Sequence, residues 1–134
     1  MTRFVIDADV LLGIADGSIA VAETHQLVAH GAIRSEVLAQ LYAAVRRGEL
    51  DRKVARELVV RMTEVKVRLL NDRGSRDMAW RIAEAEGWDE ISVDAEMAAI
   101  TRLQGDAFVT RDRERARRLK GIVPLADVAA LARG

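Results

Sequence analysis

The chain has 134 residues, of which half are hydrophobic and only 4% aromatic, so we expect a single domain at 1–134 with an aliphatic core. Its 21 Lys and Arg balance its 21 Asp and Glu, which excludes a strong overall field that would attract a polyanion. The sequence contains no cysteine, which excludes disulfides and thiolate metal sites. It has neither a signal-peptide pattern nor an apolar stretch of the roughly 18 residues that a membrane span needs, so a cytoplasmic location without membrane contact is expected.

The first predicted element is a buried strand at residues 3–9, where Phe4, Val5 and Ile6 run directly into Asp7 and Asp9. A short, continuous apolar run suits a strand that is covered on both faces. Acids inside such a stretch are costly, because buried carboxylates without partners are unfavourable and neighbouring ones repel. Either a cation binds at the carboxyl end of the strand, or one of the acids caps the following helix; this stretch alone leaves both interpretations open.

Helical and extended segments alternate through the rest of the chain. Apolar spacing and capping residues predict helices at 10–15, 19–30, 35–47, 51–64, 71–86, 93–103 and 113–120, with a terminal helix after Pro124 to about residue 132. Further strands are predicted at 65–69, 107–110 and 122–123. This alternation favours an α/β fold, a three-layer α/β/α sandwich with a small, mainly parallel sheet.

Four acids occur where a strand ends or the next helix begins. They are Asp7, Glu36, Asp94 and Asp112. In an open α/β sheet these places share one edge, where ligands usually bind. Helix dipoles offset only about 1 kcal/mol of repulsion per carboxylate, whereas a hard divalent cation offsets more. An oxygen-only set with no His or Cys favours Mg²⁺ or Mn²⁺ over zinc, and carboxylate-held Mg²⁺ suits the hydrolysis of a phosphodiester.

The sequence resembles the PIN-domain ribonucleases, and specifically the VapC-type toxins of bacterial toxin–antitoxin pairs. The resemblance covers almost the whole chain and rests on FVIDADVL at 4–11, IRSEV at 33–37, GEL at 48–50, SVDA at 92–95 and DAFVTRD at 106–112. It implies a PIN fold, an RNA substrate, a small antitoxin protein as partner, and endoribonuclease activity that depends on Mg²⁺ or Mn²⁺. It also implies that the four acids bind the metal as the catalytic set and that Thr110 supports them by hydrogen bonding.

The sequence departs from the family pattern at two positions. The family usually has Ser, Thr or Asn where this chain has Asp9, so Asp9 either adds a fifth acid to the site or points away from it. An aromatic residue often precedes the third acid, and here that residue is Val93. Neither change removes a ligand.

A run of basic residues between positions 111 and 120 lies beside Asp112. From it we select Arg111, Arg113 and Arg117 as candidate contacts to the RNA backbone, because a few arginines next to a metal suffice for phosphate binding. The alternative is a solvated helix face with local ion pairs.

The predicted hairpin of helices carries a dense apolar stripe that includes Leu38, Leu41, Tyr42 and Val45. This stripe exceeds what the core requires, so it predicts a homodimer face or a groove for an antitoxin helix.

Two other functions fit parts of the sequence. Asp7 and Asp9 also look like the nucleophile motif of haloacid-dehalogenase-type phosphatases, although the lysine and the late acidic pair of that family are not convincing here. A catalytically inactive, PIN-like scaffold that binds RNA or protein is the second alternative.

Overall fold

The computed structural model describes residues 1–70 and 73–134. In chain order its elements are β1 (Arg3–Ile6), α1 (Ala8–Ala15), β2 (Gln26–His30), α2 (Ile33–Arg46), α3 (Arg52–Glu64), β3 (Arg68–Leu70), α4 (Arg73–Glu86), α5 (Val93–Gln104), β4 (Ala107–Val109), α6 (Arg113–Leu119), β5 (Leu125–Ala126) and α7 (Val128–Ala132). No helix in the described ranges is both long and apolar enough to cross a membrane.

The strands form one five-stranded sheet in the order β3-β2-β1-β4-β5. Every neighbouring pair is parallel, with Phe4 of β1 opposite Leu27 of β2 on one side and Ala107 of β4 on the other. All carboxyl ends therefore lie along the same edge of the sheet. The chain leaves β1 toward β2 and later returns to the other side of β1 with β4, so the order reverses between β1 and β4. Ligands of open α/β sheets bind at such a reversal.

Helices cover both faces of the sheet. Alternate residues of β1 divide between two separate cores: Phe4 and Ile6 pack with α1, α2 and α3, whereas Val5 packs with α4, α5 and α6. This confirms the three-layer α/β/α prediction. In α5 the fully buried Ala95, Ala98 and Ala99 present only methyl groups to that core, as close packing between a helix and a sheet requires.

The predicted helix at 19–30 is wrong, because residues 26–30 form the strand β2 instead. Leu27, Val28 and Ala29 are consecutive and all buried, since β2 lies between β1 and β3 and is covered on both faces. The predicted first strand also ends earlier than expected. Its last residue is Ile6, because Asp7 accepts a hydrogen bond from Val10 N and caps α1.

The last strand lies after Pro124 rather than before it. The predicted strand at 122–123 is wrong, since Val123 forms only an isolated bridge with Lys120, and β5 pairs with β4 through Leu125 and Ala126. Proline has no N–H to donate, and its carbonyl instead accepts from Phe108 N at 2.9 Å.

Two other elements differ in their bounds from the prediction, and one predicted boundary lies outside the described residues. The helix α2 begins at Ile33, two residues before the predicted cap Ser35, while β3 is shorter than predicted but lies at the expected sheet edge. The predicted start of α4 at 71–72 lies outside the described residues.

Candidate functional site

Asp7 lies at the carboxyl end of β1, the central strand, and its side chain is fully buried. Its Oδ1 accepts a hydrogen bond from Val10 N at 3.0 Å, which caps α1. Its Oδ2 accepts one from Thr110 Oγ1 at 2.6 Å and one from Arg115 Nη1 at 3.0 Å. The helix-cap interpretation of this acid is confirmed, and the other oxygen is paired with the guanidinium of Arg115.

Asp94 binds the same side chain, that of Arg115. It lies in the first turn of α5, where Ser92 caps the helix by accepting a hydrogen bond from Asp94 N. Its Oδ1 accepts from Arg115 Nε at 2.6 Å and its Oδ2 from Arg118 Nη1 at 3.0 Å. One guanidinium, that of Arg115, thus bridges carboxylates from β1 and α5.

The bridging arginine keeps its charge despite partial burial. Desolvation lowers the pKa of Arg115, but hydrogen bonds and Coulomb attraction from Asp94 and Asp7 outweigh it and raise the pKa above its usual range. Arg118, one turn further along α6, is fixed from the other side because its guanidinium carbon lies 4.3 Å from the centre of the Trp88 ring.

Asp112 adjoins this pair through a shared hydroxyl. Its backbone N donates to Thr110 Oγ1 at 3.1 Å, the same oxygen that donates to Asp7. Its own side chain caps α6, since Oδ1 accepts from Glu114 N and Arg115 N. Thr110 therefore connects the ends of β1 and β4, and Asp112 fixes the helix that carries the bridging arginine.

Glu36 pairs with a histidine rather than with Arg115. It lies in the first turn of α2, and its Oε1 is 2.8 Å from Nε2 of the buried His30 at the end of β2. Nδ1 of His30 accepts a hydrogen bond from Ala32 N, so Nε2 is the ring nitrogen next to the carboxylate.

The structure thus brings Asp7 and Asp94 together at the side chain of Arg115 and places Asp112 beside them. Glu36 contacts His30 instead. Among the residues that the structure describes, no three His, Asp or Glu side chains are grouped closely enough to hold a metal ion. The donor set nevertheless fits Mg²⁺, because this ion usually keeps several waters and needs only one or two carboxylates in addition to the phosphates of a substrate. Asp7 and Asp94 supply two such carboxylates, and both already bind a cation.

Asp9 pairs with Arg111 rather than with Arg115. Its exposed carboxylate accepts a hydrogen bond from Arg111 Nε at 2.9 Å, and its carbonyl accepts from Arg111 Nη2. Of the three arginines selected for RNA contact, Arg111 is thus held by Asp9, while Arg113 and Arg117 lie four residues apart on the exposed side of α6. The basic run therefore divides, with Arg115 and Arg118 turned toward the acids.

The predicted apolar stripe lines a groove of about 400 Å³ between α2 and α3. Leu38 and Tyr42 are 52% and 66% exposed in it. Arg46, Arg52 and Arg56 also line the groove, so it combines apolar surface with positive charge.

Sequence reasoning does not select Arg115 or His30. The only signal for Arg115 is its position in the first turn of a helix that follows Asp112, since that turn lies at the ligand-binding edge. The sequence favours a surface or core role for His30, and the error in the helix at 19–30 hides its place at a strand end.

Comparison with solved structures gives several of similar fold. PAE2754 from Pyrobaculum aerophilum is 26% identical, with a TM-score of 0.69 over 98% of this chain and 93% of that one. VapBC2 from Rickettsia felis, bound to a DNA fragment from its promoter, is 8% identical, with a TM-score of 0.63 over 93% and 98% of the respective chains. VapBC-1 from nontypeable Haemophilus influenzae is 11% identical, with a TM-score of 0.59 over 95% and 98%.

The sequence matches no family model and no curated protein. The structural similarities confirm the expected resemblance in its fold: the chain has the fold of a VapC-type PIN domain.

Proposed function

We propose that this protein is an endoribonuclease that depends on Mg²⁺ or Mn²⁺, hydrolyses RNA phosphodiesters and acts as the toxin of a toxin–antitoxin pair. The proposal rests on one observation. Asp7 and Asp94 both bind the guanidinium of Arg115, at the edge of the sheet where the strand order reverses between β1 and β4. The fold shared with VapBC structures supports the same class of protein.

Each residue of the site has a distinct role in this proposal. Asp7 and Asp94 would hold the ion, and Asp112 and Glu36 would complete its surroundings from the neighbouring helix ends. When bound, Mg²⁺ supplies a water of lowered pKa and neutralises charge on the phosphate. Thr110 fixes the orientation of Asp7 by donating a hydrogen bond to its Oδ2.

The exposed arginines of α6 would bind the RNA backbone. Arg113 and Arg117 project from the helix whose first turn borders the acids, and phosphate contacts of this kind position a nucleic acid without reading its sequence. Their replacement by Gln should weaken RNA binding for all sequences alike and reduce its dependence on salt.

The direct test is cleavage of total cellular RNA by the purified protein with Mg²⁺, with Mn²⁺ and with EDTA. We expect discrete fragments that disappear with EDTA and in Asp7→Asn and Asp94→Asn, provided that each variant shows a cooperative thermal transition. Glu57→Gln, which removes an exposed carboxylate on α3, is the matched control and should cleave like the unaltered protein.

The alternatives predict other results, in the RNA assay or with a phosphomonoester substrate. A haloacid-dehalogenase-type phosphatase would release chromophore from a chromogenic phosphomonoester and would depend on Asp9, whose side chain lies instead at the surface against Arg111. An inactive scaffold would leave RNA intact under every metal condition while still binding it. Either result would contradict the proposed nuclease.

The proposed partner is a small antitoxin protein that docks in the groove between α2 and α3. Its apolar lining fits the apolar face of an amphipathic helix, and the arginines around it fit acidic residues on that helix. A homodimer through the same face is the second proposed assembly. Sedimentation equilibrium of the protein alone and of Tyr42→Glu tests it: a monomer throughout the micromolar range would contradict the dimer.

A further inference from the structure

The guanidinium of Arg115 binds the two carboxylates that the proposed function assigns to the metal, so the role inferred for Arg115 rests on that function. Its Nε is 2.6 Å from Oδ1 of Asp94 and its Nη1 is 3.0 Å from Oδ2 of Asp7. We propose that Arg115 is a built-in counter-ion that competes with a divalent ion for these carboxylates, and that the metal binds only when Arg115 is displaced.

The competition arises from which oxygens remain free to bind a metal. Oδ1 of Asp7 accepts the helix-capping hydrogen bond from Val10 N, and Oδ2 is the oxygen that binds Arg115, the residue that also binds Asp94. That oxygen already accepts from Thr110 and Arg115. A Mg²⁺ ion needs ligand oxygens at about 2.0–2.1 Å in near-octahedral geometry. These two donors already use both lone pairs of Oδ2, so an ion that binds there must displace one of them, and Arg115 is the one whose positive charge repels the ion.

The charges of the cluster give the same result. Without a metal, Arg115 and Arg118 offset the two negative charges of Asp7 and Asp94. A divalent ion bound to the same carboxylates would repel the guanidinium of Arg115, in a partly buried place where Coulomb repulsion is weakly screened. Release of Arg115 removes that repulsion.

Arg115 rather than Arg118 is the residue that must leave. Among the described residues, Arg115 provides the only ion pair of the buried Asp7. The only ion pair of Arg118 in the same ranges is with Asp94, and its guanidinium also packs over the ring of Trp88. The side chain of Arg115 is 25% exposed, so it has a path to solvent. Its helix stays anchored without it, since Asp112 caps α6 and Leu119 is fully buried.

The test measures metal binding and stability rather than cleavage. Mn²⁺ is titrated calorimetrically into the full chain and into Arg115→Gln, and both are melted in EDTA and in excess Mn²⁺. We expect Arg115→Gln to bind Mn²⁺ about tenfold more tightly or better, because the ion no longer displaces two charge-assisted hydrogen bonds. It should also melt at a lower temperature in EDTA, because Asp7 is left buried without a cation, and should gain more from Mn²⁺ than the unaltered chain.

Arg47→Gln is the matched control. Arg47 makes a comparable two-pronged contact with Glu49, at 2.9–3.0 Å, but both side chains are 58% exposed. Its replacement should change neither Mn²⁺ affinity nor the melting temperature in EDTA appreciably, as exposed ion pairs contribute little.

The outcomes separate this inference from the proposed function. Equal or weaker Mn²⁺ binding by Arg115→Gln overturns the competition and leaves the nuclease proposal standing, while an absence of Mn²⁺ binding in every protein overturns both. If Arg115→Gln does not fold in EDTA, Arg115→Lys takes its place, since a point-like ammonium retains charge but bridges two carboxylates poorly. Arg115→Lys should then bind Mn²⁺ more tightly than the unaltered chain, and equal or weaker binding overturns the proposal.

Discussion

Removing one hydroxyl at Thr110 tests whether the ends of β1 and β4 are held together as the structure indicates. Thr110 Oγ1 donates to Oδ2 of Asp7 at 2.6 Å and accepts from Asp112 N at 3.1 Å. Thr110→Val keeps the branched shape and loses both contacts. A hydrogen bond to a charged group contributes about 1.5–3 kcal/mol, and the exposed Asp112 N can bind water instead, so we expect a loss of about 2–3 kcal/mol in the free energy of unfolding.

The measurement is urea unfolding in EDTA, with the free energy extrapolated to water and the m value required to stay unchanged. Two controls separate the contact from the substitution itself. Thr110→Ser keeps the hydroxyl and should cost less than about 1 kcal/mol. Thr101→Val removes a buried hydroxyl that donates at 2.7 Å to the neutral carbonyl of Met97, and should cost less than Thr110→Val. If Thr110→Val lies within about 0.5 kcal/mol of the unaltered protein, the bond to Asp7 does not stabilise the fold and the reasoning fails.

Three further predictions concern packing, Glu36 and Asp9. Gly105→Ala should lower stability by about 1–3 kcal/mol in thermal melts, because the added Cβ would lie 2.6 Å from Cγ2 of Val5 in the central strand; an unchanged melting temperature would contradict this. His30→Leu should cost about 1–3 kcal/mol in urea unfolding at pH 7, since Glu36 loses a partner 2.8 Å away, and Glu36→Gln should reduce that cost if the contact is responsible. Asp9→Asn should change stability by less than about 1 kcal/mol and leave Mn²⁺ affinity as it is, because the Asp9 side chain is 51% exposed; a lost calorimetric signal would instead place Asp9 in the site.

Local sequence signals predict most of the elements. Caps and apolar spacing predict α3, α5 and α6 to within one residue at each end, and Ser92 is a side-chain cap as predicted. The prediction fails at 19–30 because Val21, Ala22, Leu27 and Val28 have helix-like spacing. Only the pairing of 26–30 with strands on both sides decides for β2, and that pairing joins residues distant in sequence.

The candidate site divides in the same way. The sequence by itself determined that Asp7, Glu36, Asp94 and Asp112 lie near strand ends and helix starts, because each position follows from neighbouring residues. It could not determine which arginines pair with Asp7 and Asp94, since Arg111, Arg113, Arg115, Arg117 and Arg118 look alike in a basic run. The tertiary structure decided this, because the rotation of α6 against α5 turns Arg115 and Arg118 toward the acids and leaves Arg113 and Arg117 at the surface. The type of each charged residue can be read from the sequence, but the direction in which its side chain extends depends on how the helices pack.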